Sequence, residues 1–157
     1  MKKRSRYKPK PVLVNPLHYV MEGLIPVKLH DSYLIDAKIK NHGAMSNLTK
    51  GVASRRDMDL LVNMVNLTEA LYRLGFGEDY KDVVNAGLDA LHEVGKRGVE
   101  TARFVVKAQE MNDLNLVMEL HDAQMELITI KDMERAIKLI SREFELKKMR
   151  SFREKTA

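Results

Sequence analysis

Between Arg55 and Leu74 the apolar residues Leu60, Met64, Leu67, Leu71 and Leu74 recur every four, three, four and three positions, while Asp59, Asn63, Asn66 and Arg73 fall on the other side. That is the period of an amphipathic α-helix. Ser54, followed three residues later by Asp57, makes a capping box at its start, and Gly75 supplies its stop. The pattern predicts a helix over about 55 to 74.

The same reading extends along the chain. Asn15 and Pro16 form a cap and first-turn pair, predicting a short helix over Leu17 to Met21 that ends at Gly23. Leu34, Ala37, Ala44 and Leu48 give helical spacing from Ser32 to Lys50, with a break expected near His42 because Gly43 lies inside the run. Tyr80, Val84, Gly87, Leu91 and Val94 mark a further helix from about Asp79 to Val94, and Gly95-Lys-Arg-Gly98 reads as a turn. No proline or glycine follows Gly98. Phe104, Met111, Met118 and Met125 repeat every seven residues, with Leu114, His121 and Ile128 at the complementary position, so one long helix is expected over about 99 to 127. Thr129 and Asp132 form a second capping box, opening a last helix whose stripe is Met133, Ile137, Ile140 and Phe144, to about Lys148. No alternating strand pattern exceeds Pro11-Val-Leu-Val, and no internal repeat is present. The predicted fold class is all-α, a bundle of four to five principal helices spanning residues 15–149, behind a basic arm (1–14) and before a polar tail (150–157).

Composition narrows the setting. At 157 residues and 45% hydrophobic content the chain suffices for one core without staples. Cysteine is absent, which removes disulfides, thiolate zinc sites and a cysteine nucleophile and suits a reducing cytoplasm. No run approaches 18 apolar residues, and the basic start lacks the apolar core of a signal peptide, so a soluble protein with no membrane association is expected.

Charge changes the picture more. The net charge of +5 is unevenly laid out. Residues 1 to 10 hold six cations (Lys2, Lys3, Arg4, Arg6, Lys8 and Lys10) and no acid; residues 11 to 130 hold 12 Lys and Arg against 17 Asp and Glu; residues 131 to 157 hold 9 against 5. Six charges on an extended arm suit nucleic-acid phosphates, with affinity that falls as salt rises. The same arm also suits an acidic protein surface, the chain's own acidic middle, or solubility alone.

The folded part offers fewer chemical signatures. Asn47 to Val62 can be laid over a helix-turn-helix, which would direct Arg55 and Arg56 at bases or phosphates; against that, Asp57 and Asp59 follow at once and the second helix is long for a reader of the major groove. The seam of Met111, Leu114, Met118, His121 and Met125 reads as core, and a seam longer than its neighbours would also pair with a second copy, making a homo-oligomer. Asparagines at 63, 66, 85, 112 and 115 lie inside predicted helices, where they call for partners; with Lys38, Lys40, Asn41 and His42 they outline a candidate polar binding face. The histidines at 18, 30, 42, 92 and 121 match no metal-ligand spacing, and no phosphate loop, nucleophile elbow or Ser/His/Asp grouping is present. The expectation is therefore no metal, no cofactor and no catalytic residue.

Lys40-Asn-His-Gly-Ala-Met-Ser-Asn-Leu-Thr-Lys-Gly51 and Ala70-Leu-Tyr-Arg-Leu-Gly-Phe-Gly-Glu-Asp-Tyr80, behind the Lys-Lys-Arg-Ser-Arg-Tyr-Lys-Pro-Lys start, resemble small tailed-bacteriophage proteins of uncharacterised function. The resemblance implies a viral protein working in a bacterial host cytoplasm and binding rather than catalysing. The expected function is a non-enzymatic accessory protein that holds nucleic acid through its arm, with the helical body for self-association or a second partner. The alternative is a module that inhibits or adapts a host or phage protein through its acidic helical surface.

Overall fold

A computed structural model describes residues 23–29 and 31–146. The basic arm, the expected helix over 17–21, His18, His30 and the polar tail lie outside the described residues. Within them the fold is an all-α bundle of five α-helices: α1 (Asp31–Thr49), α2 (Arg55–Arg73), α3 (Lys81–Thr101), α4 (Ala108–Leu127) and α5 (Ile130–Glu145). Two 3₁₀ turns, Val27–Leu29 and Glu78–Tyr80, precede α1 and α3.

The helix ends follow local chemistry. The Ser54 hydroxyl accepts from Asp57 N–H (3.2 Å) while the Asp57 carboxylate accepts from Ser54 N–H (2.7 Å), closing the box that opens α2. Thr129 and Asp132 repeat it at α5 (3.3 and 3.0 Å). α1 ends in a Schellman motif: Gly51 N–H donates to Leu48 O and Val52 N–H to Asn47 O, with Gly51 at φ +71°. α2 ends the same way through Gly75 and Phe76 on Tyr72 and Leu71.

α2 is the central helix and packs on α1, α3, α4 and α5. Being enclosed, it buries more than one stripe: Met58, Leu61, Met64, Val65, Thr68 and Leu71 are inside, and Leu60, Leu67 and Leu74 are only half-buried. Two clusters make the core. The larger joins α1 to α4 through residues such as Leu48, Leu61, Val94, Leu114 and Val117; the smaller joins Val27, Leu71, Met125, Ile128, Met133 and Ala136 at the far end. There, Val27 N–H donates to Ile128 O and Ile130 N–H to Ile25 O, both at 3.0 Å, tying the segment before α1 to the start of α5.

Four expectations are corrected. Gly43 does not interrupt α1; it is exposed, with nothing within 4 Å of where its Cβ would stand. Gly95 and Gly98 are not a turn but the buried face of α3, which runs to Thr101, because a Cβ at Gly98 would overlap the Phe104 ring. The single helix over 99–127 is two helices, broken at Ala102 (φ +57°), since Phe104 folds back on Gly98 and the Arg97 guanidinium captures Val105 O (Nη2, 2.8 Å). In α5 the inner face is Met133 and Ala136, with Leu139 and Ile140 beside them, while Ile137 and Phe144 are 49% and 72% exposed. The period was right and the phase shifted by a residue.

Candidate functional site

Two features stand next to each other at one end of the bundle: a pair of loops rich in cations and a polar groove between α1 and α4.

The loops are 50–54, joining α1 to α2, and 102–107, joining α3 to α4. Arg103 Nε donates to Gly51 O at 3.3 Å, and its guanidinium stands 3.0 Å from where a Gly51 Cβ would be, so glycine, favoured here by φ +71°, also eases this approach. The stretches Lys50 to Arg56 and Thr101 to Lys107 contain no acid. Their contact gathers Lys50, Arg55, Arg56, Arg103 and Lys107, all exposed, at this end. Each loop joins a helix C-terminus to a helix N-terminus, so the macrodipoles oppose one another and the field is that of the side chains.

Of the acids flanking these stretches, Asp57 and Glu110 are engaged in helix capping, while Glu100, just before Thr101, is exposed. Burial works against the charge on Asp57, yet hydrogen bonds from Ser54 and Asn47 hold its pKa below the usual carboxylate value. Burial likewise opposes charge on Glu110; the Arg97 guanidinium and Lys107 N–H (2.8 Å) outweigh it and keep the carboxylate ionised, while the hydrogen bond to Glu110 raises the pKa of Arg97. Arg97 thereby braces the loop from both sides, holding Val105 O and Glu110 together.

The groove lies along α1 and α4. α1 contributes His42, Met45, Ser46 and Thr49, one face of a helix, continued by Lys50; α4 contributes Asn115, Met118 and Glu119. They line an open groove of about 430 Å³. Met45 and Met118, both buried, form its apolar floor. Beyond it the helices are bridged by His42 Nε2 to Asp122 Oδ2 (2.9 Å) and Lys38 Nζ to Glu126 Oε1 (3.3 Å).

Beneath this wall lies a buried polar link. The Thr68 hydroxyl donates to Met64 O (3.0 Å) and lies 3.1 Å from His121 Nδ1. A hydroxyl has one proton, so when it donates to Met64 O it accepts from Nδ1–H, and when it donates to Nδ1 that nitrogen carries no proton. Burial, with His42 and Lys38 nearby, pushes the pKa of His121 down to about 4 in spite of Asp122. Gln124 Nε2 donates to Thr68 O and Phe76 O (3.2 and 2.9 Å), joining α4 to α2 and to the loop just past its end.

Of the expected polar face, Lys38 and His42 stand on this wall. Lys40 instead pairs with Asp36 (2.6 Å) on an exposed side of α1, and Asn41 is buried. Among the asparagines, Asn66 is buried and Asn115 lines the groove, while Asn63, Asn85 and Asn112 are exposed; the buried network is built instead from Thr68, His121 and Gln124. The seam of Leu114, Met118, His121 and Met125 is buried in the chain's own core and Met111 packs against it, so only an edge of Met118 reaches the surface, at the groove, and no continuous seam faces a second copy. α2 does not lie as a reading helix, since four helices surround it, but Arg55 and Arg56 are exposed in its first turn. Arg103 and Lys107 escaped the sequence reading because their expected long helix would have spread them along a face.

Among the described residues no three His, Asp or Glu side chains group as a metal site, and no helix is long and apolar enough to cross a membrane. No family model matches the chain, and comparison with curated proteins and with solved structures gives no match.

Proposed function

We propose that this is a non-enzymatic nucleic-acid-binding protein, an accessory factor of the kind its phage resemblance implies, which holds sugar–phosphate backbone with its N-terminal arm and the loop end of its bundle. The observation that carries this reading is the meeting of two acid-free loops. It assembles five cations on a body whose residues 23–146 hold 16 Lys and Arg against 20 Asp and Glu. On an acidic body, one basic end orients a polyanion toward itself and repels it elsewhere. Contacts of this kind position a backbone without reading sequence.

The test is binding of labelled oligonucleotides over a range of salt. Replacing Lys50, Arg55 and Arg56 together by alanine weakens binding to all sequences alike and lowers the log–log salt slope by about 1 for each phosphate no longer neutralised. An unchanged slope would sink the reading. The acidic net charge of the body supports a second one, a surface that adapts or inhibits a host or phage protein; a stoichiometric protein recovered from nuclease-treated bacterial lysate, with no oligonucleotide binding, replaces the first reading with the second.

A further inference from the structure

The groove between α1 and α4 has a chemistry that phosphate binding does not use. Met45 and Met118, 5% and 4% exposed, line its floor. Its α4 rim carries an amide and a carboxylate, Asn115 and Glu119, four residues apart and so on one face. Its mouth is Lys50, which belongs equally to the basic end.

We propose that this groove takes one unpaired guanine base of a bound strand, an inference that rests on the phosphate-binding reading for the rest of the strand. A floor lined by methionine side chains suits the face of a flat ring. About 430 Å³ lies in the range of small-ligand sites and accommodates a base with its sugar. The rim chooses among bases. The pairing edge of guanine sets two adjacent N–H donors, N1 and N2, beside the acceptor O6. The Glu119 carboxylate is acceptor-only and takes both donors; the Asn115 amide donates to O6. Adenine and cytosine each offer one amino donor beside a ring acceptor, and thymine has one donor between two carbonyls. Each would turn a lone pair toward a carboxylate oxygen. Lys50 at the mouth meets the phosphate. In a duplex the pairing edge of guanine is already used and its face stacked, so the groove selects single strands.

The full-length chain is titrated by fluorescence anisotropy with oligothymidine strands of about twelve nucleotides, plain or with one central guanine, inosine or adenine. The guanine strand binds roughly tenfold tighter than the adenine strand, in line with one bidentate contact, and inosine, which lacks the N2 amino group, falls between. Glu119→Gln abolishes the ranking and leaves plain oligothymidine binding at least as tight. Because Glu119 is exposed, its thermal unfolding midpoint stays unchanged. Equal affinity for all four strands, or a guanine preference that survives Glu119→Gln, overturns the proposal while phosphate binding stands. If no strand binds at about 50 mM salt, the phosphate reading fails. The groove is then judged by NMR with guanosine and adenosine monophosphates alone: shifts of the Asn115 and Glu119 amides with the former only uphold it, and shifts with neither or with both overturn it.

Discussion

His121 is the residue on which acid acts most directly. Its ring is 4% exposed, and its pKa of about 4 stands below the ordinary 6.5 because burial disfavours the cation. The folded protein thus refuses a proton that the unfolded chain accepts. The contribution is absent above pH 6.5, and stability falls progressively as pH drops from 6.5 toward 4, by about 3 kcal/mol in all. Denaturant unfolding at pH 7 and pH 4.5 measures it: His121→Gln, which keeps an amide donor toward Thr68, loses less stability over this interval than the wild type. An equal loss would show that the proton goes elsewhere. A second residue is as constrained in space as His121 is in charge. Gly98→Ala drives a methyl group into the Phe104 ring and costs about 2–3 kcal/mol in the same measurement. The sequence placed His121 correctly in a buried register. It gave no hint of Thr68, because a partner 53 residues away is a fact of packing.

At the scale of elements, starts and stops were legible where a side chain or a glycine acts on the adjacent backbone. Ser54, Thr129, Gly51 and Gly75 were all read correctly because capping is local. The break between α3 and α4 was not legible. No proline or glycine lies between Val99 and Leu127, and the chain turns there because Arg97 holds Val105 O and Phe104 needs the space over Gly98. Tertiary contact overrode propensity, and the strain that results is visible at Ala102, a non-glycine residue at φ +57°. Ala102→Gly relieves a left-handed conformation that costs an L-residue about 1–2 kcal/mol, against a greater loss of chain entropy. A net gain of about 0.5–1 kcal/mol is expected, readable as a rise in thermal midpoint. A fall would mean that the Ala102 methyl packs more than its exposure suggests. The basic end depends on this break, which brings Arg103 onto Gly51. Of its five cations the sequence singled out Arg55 and Arg56, while the grouping with Lys50, Arg103 and Lys107 required the fold.

At the scale of the whole molecule, charge is segregated into an acidic helical body and basic ends. Residues 1–22 hold six Lys and Arg against one acid, and 147–157 hold five against one, while the body between them is net negative. A polyanion meeting this chain is drawn to the arm and, on the body, to the five cations of the loop end. The two contributions are separable, because each phosphate neutralised releases its own condensed counterions and adds about 0.9 to the log–log salt slope on duplex DNA. Deleting residues 1–10 removes six cations and lowers that slope by up to about 5. The Lys50→Ala/Arg55→Ala/Arg56→Ala variant lowers it by up to about 3. If both sets contact one strand, the slope of the combined variant falls by the sum of the two. If arm and loop end instead compete for the same phosphates, each alone replaces the other, so the combined reduction is larger than the sum of the two. A slope unmoved by deleting the arm, both in the wild type and in the Lys50→Ala/Arg55→Ala/Arg56→Ala variant, would leave the six cations without a part in binding.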